Sequence, residues 1–244
     1  MTSGPLFTGT VLVCSPVTHE PGVRAVMGSF VKVLRRAAPG LEVRDVPVDH
    51  LPDDWGHHAF AGESAPYPRV AVPLSLSDRE PVAQTLAAER RRDPDLVVSH
   101  ALGPDWLLAE LGVRRLVDAG AHHGDTIVLG VAGSDDPGVI ADYSRAAQLL
   151  SAVWGGPVHI GSLSGSDTLI SDAIDIARAY GKRVVVSSYV LTPGATADEL
   201  RASGADLVTA PILDGASPDR RLVRLVLERC QQALGALAPA VGLP

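Results

Sequence analysis

"VLVCSPVTHEPGV" occupies residues 11–23, and "IVLGVAGSDDPGV" occupies residues 127–139. Aligned without a gap, Val11 falls on Ile127, Leu12 on Val128, Thr18 on Ser134, Glu20 on Asp136, and Pro21-Gly22-Val23 on Pro137-Gly138-Val139. Each copy runs a short apolar stretch into a polar turn and then a Pro-Gly step that opens a helical pattern. Two further pairs follow in the same order: "RVAVPLSLS" (69–77) with "RVVVSSYVL" (183–191), and "PDLVVSHALG" (94–103) with "ADLVTAPILD" (205–214). Two copies of so long a unit are too few for a solenoid. The repeat implies two homologous domains, 1–122 and 123–244, that meet near residues 119–124.

Strand and helix patterns alternate within each half. After the first turn Val23, Val26, Met27, Phe30, Val33, Leu34 and Ala37 recur at the three-and-four spacing of one helical face, and "APG" stops the helix. Strands are expected at 10–14, 41–46, 69–76 and 95–101, and again near 126–131, 157–162, 183–190 and 206–211. Helices are expected after the first turn, at 82–92 and 105–120, and near 138–153, 167–180 and 218–236. Continuous apolar strands separated by amphipathic helices imply parallel sheets covered on both faces, joined by right-handed crossovers. The expected class is α/β, with two homologous doubly wound domains.

Composition narrows the function. The 244 residues are 46% hydrophobic, enough for one large core or two modest ones. A formal charge of −7 argues against a nucleic-acid partner, because phosphate-reading surfaces carry a basic excess. The run "ERRRDPD" (89–95) reads as a solvated helix end. Only two cysteines are present, Cys14 and Cys230, which fits a reducing compartment. Neither a secretory signal nor an apolar run of about 18 residues is visible, so a cytoplasmic protein without a membrane partner is expected. No GxSxG elbow, CxxC pair or HExxH helix occurs, and "AGSDDPG" and "SLSGSD" match neither phosphate-loop nor dinucleotide fingerprints.

In open α/β sheets ligands bind outside the carboxyl ends of the strands. This sorts the eight histidines. His19 follows the first strand, His50, His57 and His58 follow the second, and His100 closes the fourth, all at the expected end. His122 and His123 precede a strand at the opposite end, and His159 reads as a half-buried residue within a strand. Cys14 has a strand context and is expected in the core.

The duplicated unit, "VLGVAGSDDPG" with its following helix, "PVHIGSLSG", "RVVVSSYVLTPG" and "LVVSHALGPDWLLAEL" together resemble the class II tetrapyrrole chelatases, the sirohydrochlorin cobaltochelatases and ferrochelatases in their two-domain form. The resemblance covers nearly the whole chain apart from "HLPDDWGHHAFAGESAPYP" (50–68). It implies insertion of Co2+ or Fe2+ into a tetrapyrrole in a cleft between the domains, with no cofactor beyond the inserted metal. Partners would be the tetrapyrrole and the divalent ion, and two fused domains allow a monomer or a homodimer. Neutral imidazole suits the task, since it both ligates a metal and accepts a pyrrole proton. The family supplies two histidines from its first domain. Here the first falls on Pro16 and the second near Pro81, with Ala132 and about Ala197 at the twin positions.

The remaining candidates are His100, His19 and Glu20 as catalytic groups, with His100 and His19 as metal ligands, types acceptable for cobalt or iron. His57 and His58 lie on a loop that reads either as a lid or as exposed chain. A turn His-Glu reads equally as a solvated helix start. Ser134, Ser164 and Gly165, in Gly-Ser turns at helix starts, are candidates for binding substrate carboxylates through backbone amides, or are helix caps. The alternative function is a catalytically degenerate relative that binds a tetrapyrrole or metal without turnover.

Overall fold

The computed structural model describes residues 9–16, 20–48, 69–93, 95–179 and 183–236. His19, His50, His57 and His58 lie outside the described residues. The elements run β1 (Gly9–Ser15), α1 (Pro21–Ala37), β2 (Leu41–Pro47), β3 (Arg69–Pro73), α2 (Pro81–Arg92), β4 (Leu96–Val98) and α3 (Trp106–Asp118). They continue with β5 (Thr126–Ser134), α4 (Pro137–Trp154), β6 (Val158–Gly165), α5 (Ile170–Ala179), β7 (Val184–Ser188), α6 (Ala195–Arg201), β8 (Leu207–Val208) and α7 (Arg220–Gly235).

The strands form two four-stranded sheets, ordered β2-β1-β3-β4 and β6-β5-β7-β8, and every pairing is parallel. The same order in both halves carries the sequence duplication into topology. Leu12 and Val13 on β1, and Ile127 and Val128 on β5, have no solvent exposure. These central strands are covered on both faces, so their sequences read as unbroken apolar runs. α1 and α4 each begin with proline at the first helical position, where its missing N–H costs nothing.

Repeat and packing divide the chain at different places. One compact unit comprises residues 1–102 with 223–244, and the other residues 103–222. In the first, Leu12, Cys14, Val48, Ala71, Val82, Leu86 and Leu96 form a core cluster under α2. Burying each large aliphatic chain there contributes roughly 1.5–3 kcal/mol. In the second, Val128, Ile174, Val184, Val186 and Leu200 form the corresponding cluster under α5 and α6. α3, which precedes the repeat boundary in sequence, packs on α4 and β7 of the second unit.

Several expectations are corrected. β4 and β8 shrink to three and two residues, their ladders ending before the apolar runs do. β5 and β6 run on to Ser134 and Gly165, staying paired to the end. This continuation rests on two glycines: Gly133 (φ 94°) and Gly165 (φ 85°) adopt the left-handed region. A Cβ on Gly133 would strike the Ser164 carbonyl, and one on Gly165 the Ser134 carbonyl. α6 was not expected; its seven residues bury only Ala197 and Leu200, too short a stripe to show a period. His159 is exposed rather than half-buried, because β6 is an edge strand. Glu89, read as part of a solvated run, is buried at 7% exposure and holds Arg92 at 2.7 Å. Among the described residues no helix is long and apolar enough to cross a membrane.

Candidate functional site

In the first sheet the chain leaves β1 toward β2 on one side and returns as β3 on the other, which makes the β1/β3 junction the switch point where such sheets bind ligands. The hydrogen bonds show the divergence. Val48 N–H donates to the Ser15 carbonyl (2.9 Å), and Leu74 N–H donates to the Cys14 carbonyl (2.7 Å). Pro16 and Glu20 lie exposed just beyond. Glu20 stands in extended backbone at the start of α1 and makes no side-chain cap bond.

Two loops converge at this end. After β3, Arg79 N–H donates to Ser77 Oγ (3.1 Å), Glu80 N–H to the Ser77 carbonyl (3.2 Å), and Leu76 N–H to Glu80 Oε1 (3.2 Å). That folding presents Asp78 outward. After β4, Leu102 N–H donates to the Ser75 carbonyl (3.0 Å), while Arg229 of α7 donates through Nε to the Ala101 carbonyl (2.8 Å) and through Nη2 to the Leu102 carbonyl (3.1 Å). Asp78 joins the loops: Oδ1 accepts from Ala101 N–H at 2.5 Å, and Oδ2 lies 2.6 Å from His100 Nδ1.

This geometry fixes the chemistry of His100. A carboxylate only accepts, so the proton of this bond sits on Nδ1. The neutral ring then turns the Nε2 lone pair outward, and the His100 side chain is 84% exposed. A carboxylate behind an imidazole in this way orients the ring and fixes which nitrogen carries the proton. Below the loops, Ser75 is 1% exposed and its hydroxyl has no protein partner among the described residues. Cys14 is in the core as expected; burial, and secondarily the Asp45 carboxylate, push its thiol far above the usual range, so it keeps its proton.

The metal-ligating set is thin. Among the described residues no group of three or more His, Cys, Asp or Glu is arranged to hold an ion. His100 stands with Asp78, and His19, its expected companion, lies outside the described residues. Asp78 was missed by sequence reasoning. Its one signal was position, in the loop that follows β3 at the ligand-binding end.

Ser134, Ser164 and Gly165 lie together in the second unit, where the register pairs Gly133 with Ser164 and Ser134 with Gly165. Their polar groups are engaged. Ser134 Oγ accepts from Asp136 N–H (3.0 Å), and Ser164 Oγ donates to the Ala132 carbonyl (3.1 Å). Asp136 Oδ1 in turn accepts from Gly138 N–H (2.7 Å) and Val139 N–H (3.3 Å), so a carboxylate already occupies the amides at the start of α4.

Parallel sheets in duplicate, with this strand order, define a chelatase-like α/β fold. SirB from Bacillus subtilis with Fe3+ superposes with a TM-score of 0.76, covering 96% of this chain and 98% of that one at 16% identity. The sirohydrochlorin chelatase SirB from Bacillus subtilis subspecies spizizenii in complex with cobalt gives 0.70 over the same shares at 15% identity. CbiX, described as the terminal enzyme for biosynthesis of siroheme in denitrifying bacteria, gives 0.63 over 92% of this chain and 99% of that one, at 15% identity. No protein-family model matches the chain. By sequence the chain is similar to the arginine–tRNA ligases of Methylobacterium sp. (strain 4-46), at 29% identity over 184 residues, and of Methylobacterium nodulans, at 28% over 188. The chain spans 29% of the length of those curated relatives, and the matched part is 72% of this chain.

Proposed function

We propose that the chain is a chelatase of the sirohydrochlorin type, acting on a tetrapyrrole and Co2+ or Fe2+ at the carboxyl end of its first sheet. The observation that carries this reading is the Asp78–His100 pair, an outward imidazole backed by a carboxylate at the switch-point end of a chelatase-like fold. Metal and macrocycle are both substrates. Entry of a divalent ion displaces two pyrrole N–H protons; the His100 Nε2 lone pair accepts one of them, or meets the incoming ion instead, and whatever proton it does not take passes to solvent water. Asp78 is a positioning residue: it holds the proton on Nδ1 and aims Nε2. Glu20 and His19, which follow β1 in the sequence, are the proposed further groups, close in sequence to Pro16, the position onto which the resemblance maps a family histidine.

The decisive assay mixes the purified chain with sirohydrochlorin and Co2+ or Fe2+ and follows the absorption change against a control without protein. We expect a rate above background that falls by about 10²-fold or more in His100→Ala. A wild-type rate equal to background sinks the chelatase reading, and an unchanged His100→Ala rate removes His100 from it. Pro16 favours one second reading, a carrier that binds the macrocycle without turnover. Tight binding of sirohydrochlorin at the background rate of insertion would select it.

A further inference from the structure

The helix that follows each repeat's last strand belongs to the other repeat's unit. α3 follows β4 in sequence but lies in the second unit, and α7 follows β8 but lies, from Val223 onward, in the first. Both helices carry one pattern: Leu108, Leu111 and Arg115 of α3 recur as Leu222, Leu225 and Arg229 of α7. The four leucines are buried, and they stand seven and four positions before the arginine, so each arginine shares the buried stripe of its helix. A guanidinium is costly there unless its donors are taken up. Both arginines are half-buried, and both spend donors on backbone carbonyls. Arg115 Nη2 donates to the Ile212 carbonyl (3.0 Å), and Arg229 donates through Nε to the Ala101 carbonyl (2.8 Å) and through Nη2 to the Leu102 carbonyl (3.1 Å). The aligned motifs place Ala101 on Ile212, so the clamp closes on the same carbonyl in both units.

What differs is the residue ahead of that carbonyl, His100 in the first unit and Pro211 in the second. Around His100 the clamp completes a set of bonds on two successive peptide groups. The His100 carbonyl accepts from Ser99 Oγ (2.9 Å), and the Ala101 N–H of the same peptide donates to Asp78 Oδ1 (2.5 Å). The Ala101 carbonyl accepts from Arg229, and the Leu102 N–H of that peptide donates to the Ser75 carbonyl (3.0 Å). Asp78 therefore holds the His100 ring with one oxygen and the backbone behind it with the other, so the aim of the ring depends on where Ala101 lies. Arg229 fixes Ala101 from a third element.

We infer that Arg229 is a positioning residue for His100: it clamps the loop after β4 so that Asp78 keeps the proton on Nδ1 and leaves Nε2 free. The inference rests on the role proposed for His100 above. A planar fork suits adjacent carbonyls, because two of its donors are fixed relative to each other. Without it the loop is released, and a shift of about 1 Å at a reacting group is enough to slow a reaction severely.

The test compares the full chain with Arg229→Gln, which replaces the fork by a single amide, and with Arg115→Gln, which removes the matching clamp from the loop that carries Pro211. One readout needs no turnover. In long-range proton–nitrogen NMR spectra at about pH 9, where imidazoles are neutral, the His100 signals are assigned by their loss in His100→Ala. They should show the proton on Nδ1 in wild type and in Arg115→Gln, and the mixed tautomers of a free imidazole in Arg229→Gln. In the chelation assay, kcat should fall about tenfold in Arg229→Gln with KM for sirohydrochlorin nearly unchanged, and neither should move in Arg115→Gln. A His100 tautomer unaltered by Arg229→Gln, the same change in both variants, or an active wild type whose kcat survives Arg229→Gln each overturns the inference. If Arg229→Gln does not fold, Arg229→Lys replaces it with the same expectation, since a single point donor cannot serve both carbonyls. A wild type that inserts no metal overturns the chelatase reading instead, and the tautomer comparison still decides the role of Arg229.

Discussion

The carboxyl ends of the two sheets are built on one topology and are finished in opposite ways. At the first, the chain leaves β1 through Pro16, α1 starts at Glu20 without a side-chain cap, and His100 stands exposed with Asp78 behind it. At the second, Ser134, Asp136 and Ser164 spend their oxygens on neighbouring backbone, and Gly133 and Gly165 bring β5 and β6 into close approach. Duplication has preserved the scaffold, and the two ends differ in what is left to meet a ligand. The first offers side-chain chemistry, while the second is closed on itself.

The strongest way to break this contrast is to force the closed end open. Gly133 is held at a left-handed φ and abuts the Ser164 carbonyl, so Gly133→Val carries both backbone strain and a clash with main chain that cannot swing aside. We expect a loss above about 3 kcal/mol in urea unfolding. In the first copy the aligned residue is Val17, which already carries a β-branched side chain.

Next in size is the test of the open end. Asp78→Asn keeps an oxygen for the Ala101 amide but replaces a carboxylate by a neutral group behind His100. If His100 works as proposed, chelation falls about 10- to 100-fold, the range for losing an orienting partner behind a metal-handling histidine. Stability should change little. An unchanged rate would reduce Asp78 to a loop tether.

How much of this was legible in the sequence depends on the range of the interaction concerned. The central strands were readable because burial on both faces leaves an unbroken apolar run, as at Val11–Val13 and Ile127–Leu129. The lengths of β4 and β8 were not: their apolar runs outlast their ladders. His100 was found because a position rule, strand ends of a parallel sheet, needs no contact information. Asp78 was not, since its bond to His100 joins two loops 22 positions apart, with no spacing to betray it. Ser134 and Asp136 were visible as a helix start, yet cap and anion site share one sequence pattern. Only side-chain direction separates them, and here the oxygens turn inward onto the amides.

The caps give a smaller and more local comparison. Asp136→Ala removes the bonds to Gly138 and Val139 and should cost about 1 kcal/mol. Glu20→Ala, at the aligned position, removes no cap bond from α1, and should stay within about 0.5 kcal/mol. Paired urea titrations of the two variants read the difference directly. Equal losses would mean that the two helix starts are equivalent after all.

The smallest effect concerns the opposite ends of the sheets, where Arg69 opens β3 and Arg183 stands just before β7 in the aligned motifs. Arg69 donates to Asp93 Oδ2 (2.6 Å), and Arg183 to Asp125 Oδ2 (2.7 Å) and to the Gly120 carbonyl (2.5 Å). The hydrogen bond from Arg183 holds the Asp125 carboxyl below its ordinary value, against a lesser opposing effect of burial. A depressed carboxyl stabilises the fold fully above its unfolded value, near about 3.9, and that share is lost as pH falls through the folded value. Arg183→Gln should therefore weaken the chain more at neutral pH than in strong acid, where the wild type has lost the same contribution. The separation between the two stability curves should shrink as pH drops below about 4. Exposure of the Arg183 side chain keeps the effect small and makes it fade with added salt. Curves that stay parallel through that range would show that Arg183 acts through the Gly120 carbonyl rather than through Asp125.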